Sequence, residues 1–81
     1  MRFVDTAFDR SKLYSIGREM ESGRYYLSIP VSHGVVDFEE YYEIPAEMHD
    51  GYPANRALIE DFADRCHRRL NVRHRFWPPP A

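Results

Sequence analysis

The sequence predicts an α+β domain: a three-stranded antiparallel β-meander with one C-terminal α-helix packed on one face, a short N-terminal helix or strand, and an extended proline-rich tail. Three observations carry that expectation. Residues 24–44, RYYLSIPVSHGVVDFEEYYEI, alternate apolar and polar side chains on both sides of a glycine turn. Residues 13–20 repeat the alternation. From about Pro53 or Asn55 to Leu70, apolar residues recur at helical spacing. An apolar sheet face and an apolar helix stripe need one another, which gives two layers.

The first twelve residues are ambiguous, because Phe3, Val4, Ala7 and Phe8 sit at the spacing of a short amphipathic helix. A short strand is the alternative. Leu13 to Met20 reads as a first strand, closed by Glu21-Ser22-Gly23. A turn at Ser22-Gly23 pairs Met20 with Tyr25, Arg18 with Leu27, Ile16 with Ile29 and Tyr14 with Val31. A turn at His33-Gly34 pairs Val31 with Val36, Ile29 with Phe38, Leu27 with Glu40 and Tyr25 with Tyr42. The other face then carries Tyr26 opposite Tyr41, Ser28 opposite Glu39 and Arg24 opposite Glu43. Pro30 has no N–H to give to a ladder. Two tight turns would ask the even residues of the middle strand to bond both neighbours, so one loop must be longer. Placing Pro30 toward the frayed start of the first strand makes Ser22-Gly23 the tight turn and Ser32–Val35 a four-residue loop.

PAEMHDGYP reads as a connector rich in structure breakers. The helix follows, with Pro53 suited to a first position or Asn55 to an N-cap. Leu58, Ile59, Phe62, Ala63, Cys66 and Leu70 form its apolar stripe, with Phe62 expected at the centre of the core. Glu60, Asp61 and Asp64 precede Arg65, Arg68 and Arg69, an order that suits the helix dipole. The domain is expected over residues 1–70, with residues 71–81, NVRHRFWPPPA, as a basic, aromatic tail.

Composition narrows the function classes. The chain has 81 residues, 43% hydrophobic, 30% charged and 15% aromatic, with one cysteine. That is one small domain near the size where a single core is marginal. No apolar run is long enough to span a membrane, and MRFVDTAFDR lacks the apolar core of a signal peptide. A lone Cys66 fits a reducing compartment, so a cytoplasmic location is expected. The net charge of −2 conceals a split: all 13 acids lie in residues 1–64, while residues 65–81 hold five arginines and no acid. Such asymmetry points to pairing within the chain or to a charged partner.

No catalytic motif emerges. The histidines show no H-E-x-x-H or related spacing, there is no Gly-rich phosphate loop or nucleophile elbow, and Cys66 belongs to the apolar stripe. No cofactor or metal is expected, although His49 beside Glu47 and Asp50 makes a candidate surface metal patch. Glu40, a carboxylate on the apolar parity, is expected to pair with Arg18.

The remaining candidate is a surface. Tyr26 and Tyr41, ringed by Glu19, Asp37, Glu39 and Glu43, suggest an acidic protein-binding face for a basic partner. On size and charge alone, immunity or antitoxin-like proteins and small accessory subunits are analogous. The second reading is a nucleic-acid-associated protein acting through the basic C-terminal segment, with Phe76 and Trp77 for stacking. The acidity of the rest of the chain opposes it. The tail is expected to dock, with Arg73 or Arg75 near the acids and Trp77 near aromatic surface. It reaches them around an edge of its own sheet or by exchange in a homodimer.

Overall fold

The computed structural model describes residues 1–79. It contains five strands in the order of the chain, all antiparallel: β1 (Phe3–Asp9), β2 (Tyr14–Glu19), β3 (Tyr25–His33), β4 (Val36–Ile44) and β5 (Arg75–Trp77). Two helices, α1 (Ala46–Asp50) and α2 (Arg56–His67), lie between β4 and β5. The expected three-stranded meander is therefore too small by a strand at each edge.

The N-terminal strand was obscured by a β-bulge. β1 pairs Asp5 with Gly17 and then Ala7 with Ile16, leaving Thr6 as the extra residue. The bulge swaps parity, so Phe3 lies on one face and Ala7 on the other, where it packs on the core. Apolar residues on opposite faces of a bulged strand thus mimic the three-and-four spacing of a helix.

Both central registers differ from expectation by two residues. β4 pairs Val31 with Phe38, Ile29 with Glu40, Leu27 with Tyr42 and Tyr25 with Ile44. β2 pairs Ile16 with Leu27 and Arg18 with Tyr25. A slip of two keeps every side chain on its face, so the faces stand while the partners move. The longer loop is the other one. Gly34 and Val35 make the tight turn, with Gly34 at φ 66° in the first position, as a type II′ hairpin requires. The β2–β3 loop is closed instead by Glu19 N–H to Arg24 O at 2.8 Å and Gly23 N–H to Glu19 O at 2.8 Å. Alternation from the closing pair His33–Val36 turns the Pro30 nitrogen away from β4. It faces the β2 side, where pairing has already ended at Ser15–Ser28.

The core lies between the sheet and α2. Tyr14, Ile16, Leu27, Ile29, Tyr42 and Ile44 from the sheet meet Ile59, Ala63 and Cys66 from the helix. The helical stripe is narrower than its sequence: Phe62 is half-buried, while Leu58 and Leu70 are exposed. The supposed connector contains α1, whose Met48 packs on the core edge together with Tyr52.

The end of α2 decides where the tail goes. Leu70 N–H bonds Arg65 O at 2.9 Å and Arg69 N–H bonds Cys66 O at 3.1 Å. This is a Schellman closure with Arg69 in the left-handed position at φ 64°, where glycine is usual. Asn71 then buries its amide, donating to Phe62 O at 3.3 Å. A single 3-10 turn, Val72–His74, delivers β5 to the edge of β4.

Candidate functional site

The face away from the helix is closed by its own aromatic residues. Phe3 of β1 stacks on Tyr41 of β4 at a centroid distance of 3.6 Å, although two strands lie between them. Tyr26 meets both rings edge-on, at 5.4 Å from Phe3 and 5.0 Å from Tyr41, and Phe76 lies 6.1 Å from Phe3. The sheet is thus curled enough to bring its two edges together over this face. Gly17 allows it: a Cβ there would lie 2.1 Å from Val4 O and 2.6 Å from the Tyr26 hydroxyl. Tyr26 is fully buried and donates to Asp5 Oδ1 at 2.5 Å. Burial first, and then the Asp5 carboxylate, raise its phenol pKa.

The acids of this face separate into two groups. Glu19 is buried, and its carboxylate accepts from the backbone N–H groups of Arg2 at 2.9 Å, Glu21 at 2.8 Å and Ser22 at 2.7 Å. Hydrogen bonds from Ser22 and Arg2 lead in holding its pKa down to about 2. Glu19 is therefore a brace for the β2–β3 loop and cannot belong to an exposed surface. Asp37, Glu39 and Glu43 are exposed. Asp37 accepts from Ser32 Oγ at 2.6 Å, and Glu43 faces Arg24 at 3.9 Å. Glu39 has its pKa raised, chiefly by partial desolvation, with the Ser28 hydroxyl opposing and the Asp5 charge adding to the rise. Tyr41 is half-buried, opposite Ser28 rather than Tyr26.

Glu40 lies on the helix side and is 2% exposed. Its partners are Arg69, which bonds Oε1, Arg75 at 2.7 Å and the Tyr42 hydroxyl at 2.8 Å. Burial alone would raise its pKa, but these hydrogen bonds and the two guanidinium charges outweigh it, and the net shift is downward. Arg18 is not a partner: its guanidinium lies 5.2 Å from the Tyr25 ring. The C-terminal arginines are largely occupied within the chain. Arg65 pairs with Asp61 at 3.2 Å, Arg68 with Asp64 at 3.6 Å, and Arg69 and Arg75 with Glu40. Arg73 instead donates to His74 Nε2 at 3.2 Å.

One sheet edge remains open. β5 pairs with β4 only at Tyr41 and Tyr42. Pro78 and Pro79 have no N–H with which to extend the ladder. From Val36 to Glu40 the outer edge of β4 therefore has no strand beside it among the described residues. The alternation that turns Pro30 away from β4 also turns the N–H groups of Asp37 and Glu39 toward that edge. Beside it is a groove of about 500 Å³ lined by Met1, Phe3, Phe38, Glu39, Tyr41 and Trp77. Trp77 is 44% exposed there and Phe38 36%.

Cys66, His49 and His67 are engaged in the fold. Burial pushes the Cys66 thiol up to about 12, outweighing the Asn71 hydrogen bond. His49 has Nε2 at 2.8 Å from Thr6 Oγ1 and Nδ1 at 2.9 Å from Asp50, so neither ring nitrogen is free for a metal in this arrangement. His67 Nε2 lies 2.9 Å from Leu13 O. Among the described residues, no helix is long and apolar enough to cross a membrane.

Comparison with models of known families, with curated proteins and with solved structures finds no match. The sequence pattern also missed Phe3, Asp5 and the pairing of Arg69 with Glu40. Gly17 inside a strand was the available signal, because a strand glycine often marks close approach of another group.

Proposed function

We propose that this protein is a protein-binding module that takes an extended, lysine- or arginine-bearing segment of a partner as an added strand on β4. The observation that carries the reading is the open edge from Val36 to Glu40, ending at an aromatic groove. Backbone groups of the edge supply pairing, and alternate side chains of the added strand meet different surroundings. Asp37, Glu39 and Trp77 offer negative charge and an apolar anchor on one face, while Phe38 offers an apolar anchor on the other. The acidic, tyrosine-bearing surface thus contracts to Tyr41, Asp37 and Glu39, with Glu43 farther along β4. A catalytic role has less support, since the thiol is buried and His49 is committed to Thr6 and Asp50.

The test is a titration with a synthetic peptide alternating lysine and valine, followed by amide NMR shifts and Trp77 fluorescence. Saturable shifts confined to Val36–Tyr41 and β5, lost in an Asp37→Lys/Glu39→Lys double variant, are expected. Equal binding of the matching glutamate–valine peptide, or shifts that avoid this edge, would overturn the reading.

A further inference from the structure

A second groove, of about 490 Å³, lies where the end of β4, α2 and the start of β5 meet. Arg24, Arg73, His74 and Arg75 line it together with Phe62 and Phe76. Glu43 is the one carboxylate in the lining, 3.9 Å from Arg24 Nε, a loose pair between half-exposed side chains. Glu40 balances Arg75 from behind but divides its charge with Arg69. The lining therefore carries an excess of positive charge in a chain whose overall charge is −2.

One guanidinium has bonding capacity left over. Arg73 donates to a neutral imidazole nitrogen, so its charge meets no carboxylate among the described residues. Arg75, by contrast, is committed: its Nη1 holds Glu40 at 2.7 Å and its Nε is buried away from solvent. Flat apolar surface lies alongside. The Arg24 guanidinium is 5.2 Å from the Phe76 ring, and Phe62 lies 6.2 Å from His74. Guanidinium groups are the natural donors to phosphate, because their planar forks match its oxygens. The volume falls within the usual range for a small-molecule site and greatly exceeds what a bare phosphate fills.

We propose that this groove binds a phosphate monoester carried on a flat ring, the chemistry of a mononucleotide. Arg73 and Arg24 hold the phosphate, and the ring lies against Phe62 and Phe76. Arg73 leaves His74 to do so, exchanging a neutral acceptor for a charged one. The site shares none of its lining with the strand-binding groove, so either can fail without the other.

Amide NMR titration of the full chain with adenosine monophosphate, inorganic phosphate, adenosine and a short single-stranded oligonucleotide tests the assignment. Adenosine monophosphate should shift Arg24, Phe62 and Arg73–Phe76 saturably, with a dissociation constant of about 1 mM or tighter. Inorganic phosphate should bind the same residues about tenfold more weakly, having lost the stacking contribution. Arg73→Gln should weaken the nucleotide about tenfold at an unchanged melting temperature, since Arg73 is exposed and braces no carboxylate. Arg73→Lys should recover part of that loss. The absence of saturable shifts, adenosine binding as tightly as its monophosphate, or Arg73→Gln binding undiminished would each overturn the proposal. So would a single-stranded oligonucleotide response with no mononucleotide counterpart, which would assign the surface to nucleic acid.

Discussion

Glu40 is the residue on which the C-terminal third of the chain converges. It stands opposite Ile29 in the sheet, inside the core boundary, and gathers Tyr42, Arg69 and Arg75. Arg69 holds a left-handed backbone that costs a non-glycine residue about 1–2 kcal/mol, and its bond to Glu40 is the visible compensation. Glu40→Gln should therefore destabilise the fold by about 2–3 kcal/mol, less than for a wholly buried pair because Arg69 is half-exposed. Urea unfolding at neutral pH measures it, and a loss within about 0.5 kcal/mol of zero would remove Glu40 from the account. Acid should act through the same kind of group. Folding holds Glu19 deprotonated down to about 2 against an ordinary value of 4.5, and Glu40 is shifted in the same direction. The stabilisation from Glu19 is complete at neutral pH and is lost as pH falls from 4.5 toward 2, and that from Glu40 is likewise lost on acidification below 4.5. The melting temperature should drop through that window, with a shallower slope in Glu19→Gln; an unchanged slope would show that Glu19 is not a brace. That Glu40 needed cationic company was legible from its parity. The identity of its partners was not, because they arrive from a helix end and an edge strand far along the chain.

Elements were legible wherever periodicity was undisturbed. β2, β3, β4 and α2 each show their period, and the faces of Tyr25–Ser32 and Val36–Ile44 follow from parity. Register was not legible in the same way, because a slip of two residues preserves parity and leaves the loops to decide. Those loops turned on a buried carboxylate and on the φ of Gly34, neither of which alternation reveals. β1 was hidden by its bulge, and β5 is too short for any period. Within α2 the stripe was read too wide. Ile59 is fully buried and Phe62 only half-buried, so Ile59→Ala should cost about 2–5 kcal/mol and exceed Phe62→Ala. Parallel urea titrations decide this, and a larger loss for Phe62→Ala would mean that α2 is rotated about its axis.

Across the whole molecule, the charge split visible in the sequence is resolved largely at home. Arg65 and Arg68 pair with Asp61 and Asp64 one turn earlier along α2, Arg69 and Arg75 reach Glu40 on β4, and the aromatic end of the chain helps close the face that β1 curls over. The expected acidic surface is reduced by the same closure, since Tyr26 and Glu19 become interior. What stays available is the outer edge of β4 beyond the short reach of β5, and the proposed strand-binding role depends on it. Amide hydrogen exchange on the full chain tests this most directly. Phe38 and Glu40, whose N–H groups face β3, should exchange slowly, and so should Tyr41, covered by Trp77 of β5. Asp37 and Glu39 should exchange fast. Slow exchange at Asp37 and Glu39 would mean that the edge is already covered, and fast exchange at Tyr41 would mean that the C-terminal strand is not part of the sheet.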